Sequence, residues 1–124
     1  MPFEVGLFFG AKTFGGRRHS GKSCLVLDSM PFRYQRTLSD ISGQDIQAHG
    51  DDYREVIVLV RNWLAQFSKG VLLPGDLPIA QDFDRFIQAF PRICRDAGVT
   101  SNRLPFNDFV NIVEIWIAKK GLIV

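Results

Sequence analysis

The run Cys24-Leu25-Val26-Leu27-Asp28 constrains this chain more than any other stretch. Four apolar residues rich in β-formers close on an acid and have polar neighbours on both sides, the pattern of a fully buried central strand. Ser29-Met30-Pro31 then ends it, because proline cannot join a central ladder. A buried strand cannot stand alone, since its backbone N–H and C=O groups need partners. Either further strands hide in residues 3–9, 56–60 and 122–124, or other strands belong to a part of the domain ahead of Met1. The chain opens at Met1-Pro2-Phe3 already inside an amphipathic element, which favours the second reading. The expectation is the C-terminal part of an α/β domain, helix-rich with few strands.

Helical spacing dominates the remainder. Phe3, Leu7, Phe8 and Ala11 predict a short first helix, with Gly6 and Gly10 four apart on one side of it. Those glycines weaken the helix but let a ligand or another backbone come close. Gly15 to Ser23 reads as a loop by composition. Residues 32–41 resume a helical pattern and stop near Gly43. Asp51-Asp52 offers a cap and a dipole complement for a strong helix over 53–67, apolar on more than one side. A strand over 56–60 is the alternative there, and the charged flanks favour helix.

Val71 to Pro78 reads as a linker, so residues 1–70 are expected to form one α/β region and 71–124 a helical extension packed on it. Phe83, Phe86, Phe90 and Ile93 make a clean helical stripe, which Pro91 should kink or split. Pro105 suits the first turn of a last helix bearing Phe109, Val113 and Trp116 on one face. Lys119-Lys120-Gly121 provides favourable dipole charge and a stop.

Composition limits the function classes. At 124 residues with eleven Phe and 46% hydrophobic residues, the chain can bury a real core. A formal net charge of +2 is too mild to argue for specific nucleic-acid binding, and Lys12, Arg17, Arg18, His19 and Lys22 read first as a solvated basic loop. Cys24 and Cys94 stand far apart without metal-ligand spacing, as buried free thiols would. His19 and His49 lack partners at metal-binding spacing, and Trp63 and Trp116 sit on apolar stripes. No metal and no cofactor are expected. No secretory leader or membrane-length apolar run is present, so a cytoplasmic location without membrane contact is the default expectation.

Gly16 to Ser23 satisfies the phosphate-loop pattern G-x-x-x-x-G-K-[ST]. Such a loop works by leaving a strand and entering a helix whose N-terminus faces the phosphates. Here the order is reversed: the preceding segment reads as helix and the following one as strand. Asp28 also lies too close to Lys22 to be a separate metal-holding strand end. A helix–loop–strand joint is the reading that results.

Pro2-Phe3-Glu4-Val5-Gly6, then Leu7 and Gly10, a loop, Lys22 and the strand 24–28 together resemble a known pattern. Nucleoside 2-deoxyribosyltransferases carry a similar F-E-[IL]-G helix start, and NAD-cleaving Toll/interleukin receptor (TIR) domains carry an F-E-L-G helix. TIR-like nucleotide-binding proteins of bacteria look similar further along, where Tyr34, Ser39, Asp40, Ile41, Gly43 and Asp45 fit a Y-x-x-x-x-S-D-I-x-G-x-D stretch. The resemblance covers about a third of the chain. It implies a flavodoxin-like, doubly wound sheet and binding of a nucleotide or NAD-like small molecule, with N-glycosidic cleavage in complete relatives.

On that resemblance Glu4 is the catalytic carboxylate, stabilising an oxocarbenium-like state or trapping the sugar. Phe3, Gly6, Gly10 and Asp28 are the expected substrate-binding residues, Asp28 because ligands meet open sheets at the carboxyl ends of strands. The helix dipole alone also favours an acid at Glu4, and Asp28 can equally cap the following turn. Strands and polar residues that lie ahead of the F-E-x-G helix in these families are absent from this sequence. The alternative is a non-catalytic interaction module, a homo-oligomer that covers its apolar helix 53–67.

Overall fold

The computed structural model describes residues 2–33 and 46–121. It divides into two compact units, Met1–Asp76 and Leu77–Val124. The first contains helices α1 (Pro2–Phe14) and α2 (Arg17–Ser20), strands β1 (Val26–Asp28) and β2 (Ile46–Ala48), and helix α3 (Tyr53–Ala65). The second contains α4 (Asp76–Asp96, its first residue at the division), a 3₁₀ turn over Ser101–Arg103, and α5 (Phe106–Gly121). Among the described residues the chain is therefore helix-rich with one small parallel sheet, an α/β mixture.

In the first unit, α1 turns Val5, Phe8 and Phe9 inward while Phe3, Leu7 and Phe14 stay exposed. The expected loop after it is tighter than a loop. Gly16 adopts φ 72°, reversing the chain into the four-residue helix α2. A Cβ on Gly15 would stand 2.4 Å from the Ala11 carbonyl oxygen and 2.9 Å from the His19 ring, so only glycine fits there.

β1 corrects the sequence reading in two ways. Only Val26–Asp28 joins a ladder, and all three residues are half-buried rather than fully buried. Its neighbour is β2, which pairs in parallel with Val26 opposite Ile46 and Asp28 opposite Ala48. The His49 N–H to Asp28 carbonyl bond (2.9 Å) and the Gly50 N–H to Ser29 carbonyl bond (2.9 Å) extend the pairing past the strand ends. Residues 3–9 and 56–60, named as alternative strands, lie in α1 and α3 instead. Of the helical pattern expected over 32–41, Phe32 is instead a turn residue at φ 61°, and the remainder from Tyr34, with residues 122–124 and the matched positions Tyr34 to Asp45, falls outside the described residues.

α3 begins where its acids predict. Asp52 takes the cap position, its side chain accepting the Arg54 N–H at 2.9 Å, while Asp51 turns the chain at φ 58°. After the helix ends at Ala65, Arg61 ties the next segment back to it. Its Nε donates to the Pro74 carbonyl at 3.0 Å and its Nη2 to the Leu73 carbonyl at 3.3 Å.

The second unit is a helical hairpin. Phe86 contacts both Phe109 (6.2 Å between centroids) and Trp116 (6.0 Å), and Phe90 contacts Phe109 (5.9 Å), so α4 and α5 run antiparallel. Phe86, Cys94 and Ile112 are fully buried between them, and each such side chain contributes on the order of 1.5–3 kcal/mol. Pro91 does not split α4, which passes through it as one helix to Asp96. Gly98 at φ 71° closes α4, with Val99 N–H bonded to the Cys94 carbonyl and Gly98 N–H to the Arg95 carbonyl. Those two bonds and the left-handed glycine form a Schellman cap. Pro105 stands just before α5, where its carbonyl accepts the first helical bond from Phe109.

Candidate functional site

α3 presents Leu59, Asn62, Trp63 and then Gln66 on one face, at spacings of three, one and three residues. That face, Phe9 of α1, Gln47 of β2 and the segment Ser23 to Val26 enclose a cavity of about 350 Å³ within the first unit. Phe67 packs edge-on against Trp63 at 5.2 Å and steadies the indole from behind. The walls thus combine two aromatic side chains, aliphatic Leu25, Val26 and Leu59, the Cys24 thiol, and four neutral polar groups.

Among the described residues, no Asp, Glu, Lys, Arg or His lines this cavity. Gln47, Asn62 and Gln66 each carry one acceptor oxygen and two N–H donors, and Ser23 adds a hydroxyl that does both. The Asn62 oxygen accepts from Arg61 Nη1 at 3.3 Å. Among the described residues the lining offers no carboxylate or imidazole, and its one ionisable side chain is the Cys24 thiol. A basic stretch abuts it in the chain. Lys12, Arg17, Arg18 and Lys22 are all exposed, and no Asp or Glu occurs between Glu4 and Asp28. Lys22 immediately precedes the lining residue Ser23.

The residues singled out by resemblance lie elsewhere. Glu4 and Gly6 are exposed on the first turns of α1, Phe3 is 74% exposed, and Gly10 is half-buried. None of them lines the cavity. A Cβ at Gly6 or Gly10 would meet nothing within 4 Å, so no close partner requires glycine at either position. The Glu4 carboxyl is held below its ordinary value by a hydrogen bond from the chain's α-amino group, then by its own backbone N–H.

Asp28 does stand at the carboxyl end of β1, whereas the cavity opens at the amino end of that strand. Its side chain, 13% exposed, forms an ion pair with Arg33 at 2.5 Å. Burial opposes the charge, but Arg33 and the N–H groups of Met30 and Ser29 outweigh it and hold the carboxyl below its ordinary value. Asp28 therefore ties the turn after β1 to Arg33. His49 is also a turn residue, its Nδ1 accepting the Asp51 N–H at 3.2 Å.

Sequence reasoning missed Gln47, Asn62 and Gln66. The available signal was the polar pair Asn62 and Gln66, four apart around the end of α3 and on either side of Trp63. Around the phosphate-loop match, α1 and α2 precede Lys22-Ser23 and β1 follows, the reverse of a nucleotide-hydrolysing loop. Among the described residues, no helix is long and apolar enough to cross a membrane. No family model, curated protein or solved structure matches this chain.

Proposed function

We propose that the first unit is a nucleotide-binding module of TIR-like or deoxyribosyltransferase-like descent, built on part of a flavodoxin-like sheet. The observation that carries this reading is the uncharged cavity between Phe9 and Trp63, lined by three carboxamides and a hydroxyl. A nucleobase is planar, uncharged and edged with alternating donors and acceptors, so it suits these walls and this polar set. The acid-free basic stretch ending at Lys22 favours an anionic group attached to that base. A parallel strand pair whose connection spans residues 29–45 is consistent with the same architecture.

Binding, rather than cleavage, is the activity assigned. Glu4 lies outside the cavity lining and would act only on a ligand that extends beyond it.

The test uses Trp63 fluorescence in a Trp116→Phe background, titrated with adenosine, AMP and NAD. Binding should quench Trp63, with AMP and NAD tighter than adenosine. Asn62→Ala should weaken all three ligands about three- to tenfold through one lost hydrogen bond. Lys22→Ala should weaken only the two anionic ligands. Glu4→Gln should leave each affinity within about twofold. No quenching by any of them up to about 1 mM would remove the reading.

A further inference from the structure

α5 is apolar on two adjacent stripes. Phe109, Ile112 and Trp116 face the hairpin's own core. Beside them run Phe106, Val110, Val113 and Ile117, spaced four, three and four residues apart, the repeat of a helix–helix seam, with Val113 also packed against the hairpin core. The ends of this second stripe are open: Phe106 is 77% and Ile117 61% exposed, while Val110 and Val113 at its centre are half-buried. The seam contains no charged residue.

We infer that α5 pairs with α5 of a second copy, antiparallel across a two-fold axis between Val110 and Val113, turning two hairpins into a four-helix bundle. The occupant follows from the order of residues along the stripe. The two-fold sets each Phe106 against Ile117 of the other copy and each Val110 against its Val113, so a large side chain meets a large one at both ends and two small ones meet at the centre. The edges match as well. On one side Asn107, an amide donor, comes opposite Glu114, a carboxylate acceptor, both exposed in the single chain. On the other side Phe109 comes opposite Trp116, and the hairpin cores merge. A parallel pairing would instead set the Glu114 carboxylate against Phe109 of the other copy.

The area suits a weak, reversible dimer. Phe106, Ile117, the exposed part of Phe109 and the two valines offer roughly 400 Å² per copy, or about 800 Å² in all, the size of a transient interface. Self-complementarity of one patch is what an isologous two-fold interface requires. The inference concerns the second unit and is independent of nucleotide binding.

Sedimentation equilibrium of the full chain at up to on the order of 100 µM tests it. The expected result is a reversible dimer. Phe106→Lys and Ile117→Glu change side chains that stand largely in solvent in the single chain, so each variant should keep its helical circular dichroism. Each alone should weaken dimerisation at least about tenfold, because both ends of its homodimer then oppose a charge to an apolar group. An equimolar mixture of the two should dimerise again, with the introduced cation meeting the introduced anion at one end and a native Phe106–Ile117 contact at the other. A monomeric wild type overturns the inference. So does a dimer that survives either substitution, which would place the contact on another face such as the exposed stripe of α1. Failure of the mixture to dimerise overturns the antiparallel arrangement and the inference with it.

Discussion

Asp28 is where burial and charge oppose each other. Its carboxylate is largely shielded from water, yet the Arg33 guanidinium and two backbone N–H groups keep it ionised more readily than an ordinary carboxyl. The sign of its effect on stability follows. The folded value lies below that of the unfolded chain, about 3.9, so the contribution is complete at neutral pH. It is lost as pH falls below that figure and through the folded value. Urea midpoints measured from pH 7 down to pH 3 should therefore fall less steeply toward acid in Asp28→Asn than in wild type, with the variant already weaker at pH 7. A parallel decline in both proteins would show that the ion pair does not secure the turn. The turn role was one of the two its sequence position offered, but the partner was not legible, because Asp28 and Arg33 meet only once the chain has turned at Phe32, whose φ is 61°.

Among the elements, α4 carries an avoidable cost. Pro91 is exposed and interior to a helix that nevertheless continues to Asp96. A proline there removes one backbone bond and crowds the preceding turn, at about 3 kcal/mol relative to alanine. Pro91→Ala should raise stability by roughly 1–3 kcal/mol, read as a higher thermal midpoint with more helical circular dichroism. No gain would mean that the surrounding turn has already adapted to the ring. The helices were legible because each shows a long repeat and a chemical stop: Asp52 before α3, Gly98 after α4, Lys119-Lys120 at the end of α5. β2 was not, since Ile46-Gln47-Ala48 is too short for alternation to register and has a polar residue at its centre. The same brevity hid Gln47 as a cavity residue. α2 escaped notice because arginine and histidine follow a glycine pair that reads as loop, and only the tight Gly15–His19 approach shows why the chain coils there.

For the molecule as a whole, the two units differ in what holds them. The second is closed by an aromatic cluster between two helices joined through a short turn. The first depends on a three-residue parallel pairing between segments far apart in the chain. The feature that most constrained the sequence, the apolar run ending at Asp28, thus yields the smaller share of regular structure while fixing where the cavity lies. Its separation from β2 also sets a tempo. The chain must close a loop spanning residues 29–45 before Val26 and Ile46 can bond, whereas α4 and α5 gain contacts between neighbouring elements as soon as both helices form. Each unit holds a single tryptophan, Trp63 in the first and Trp116 in the second. In stopped-flow refolding, the Trp116 signal of a Trp63→Phe variant should return before the Trp63 signal of a Trp116→Phe variant, and simultaneous recovery would show that the units fold as one. As the chain lengthens during synthesis, the first unit emerges first but acquires its order by the slower route, so its apolar strand segment waits unpaired while the later hairpin closes.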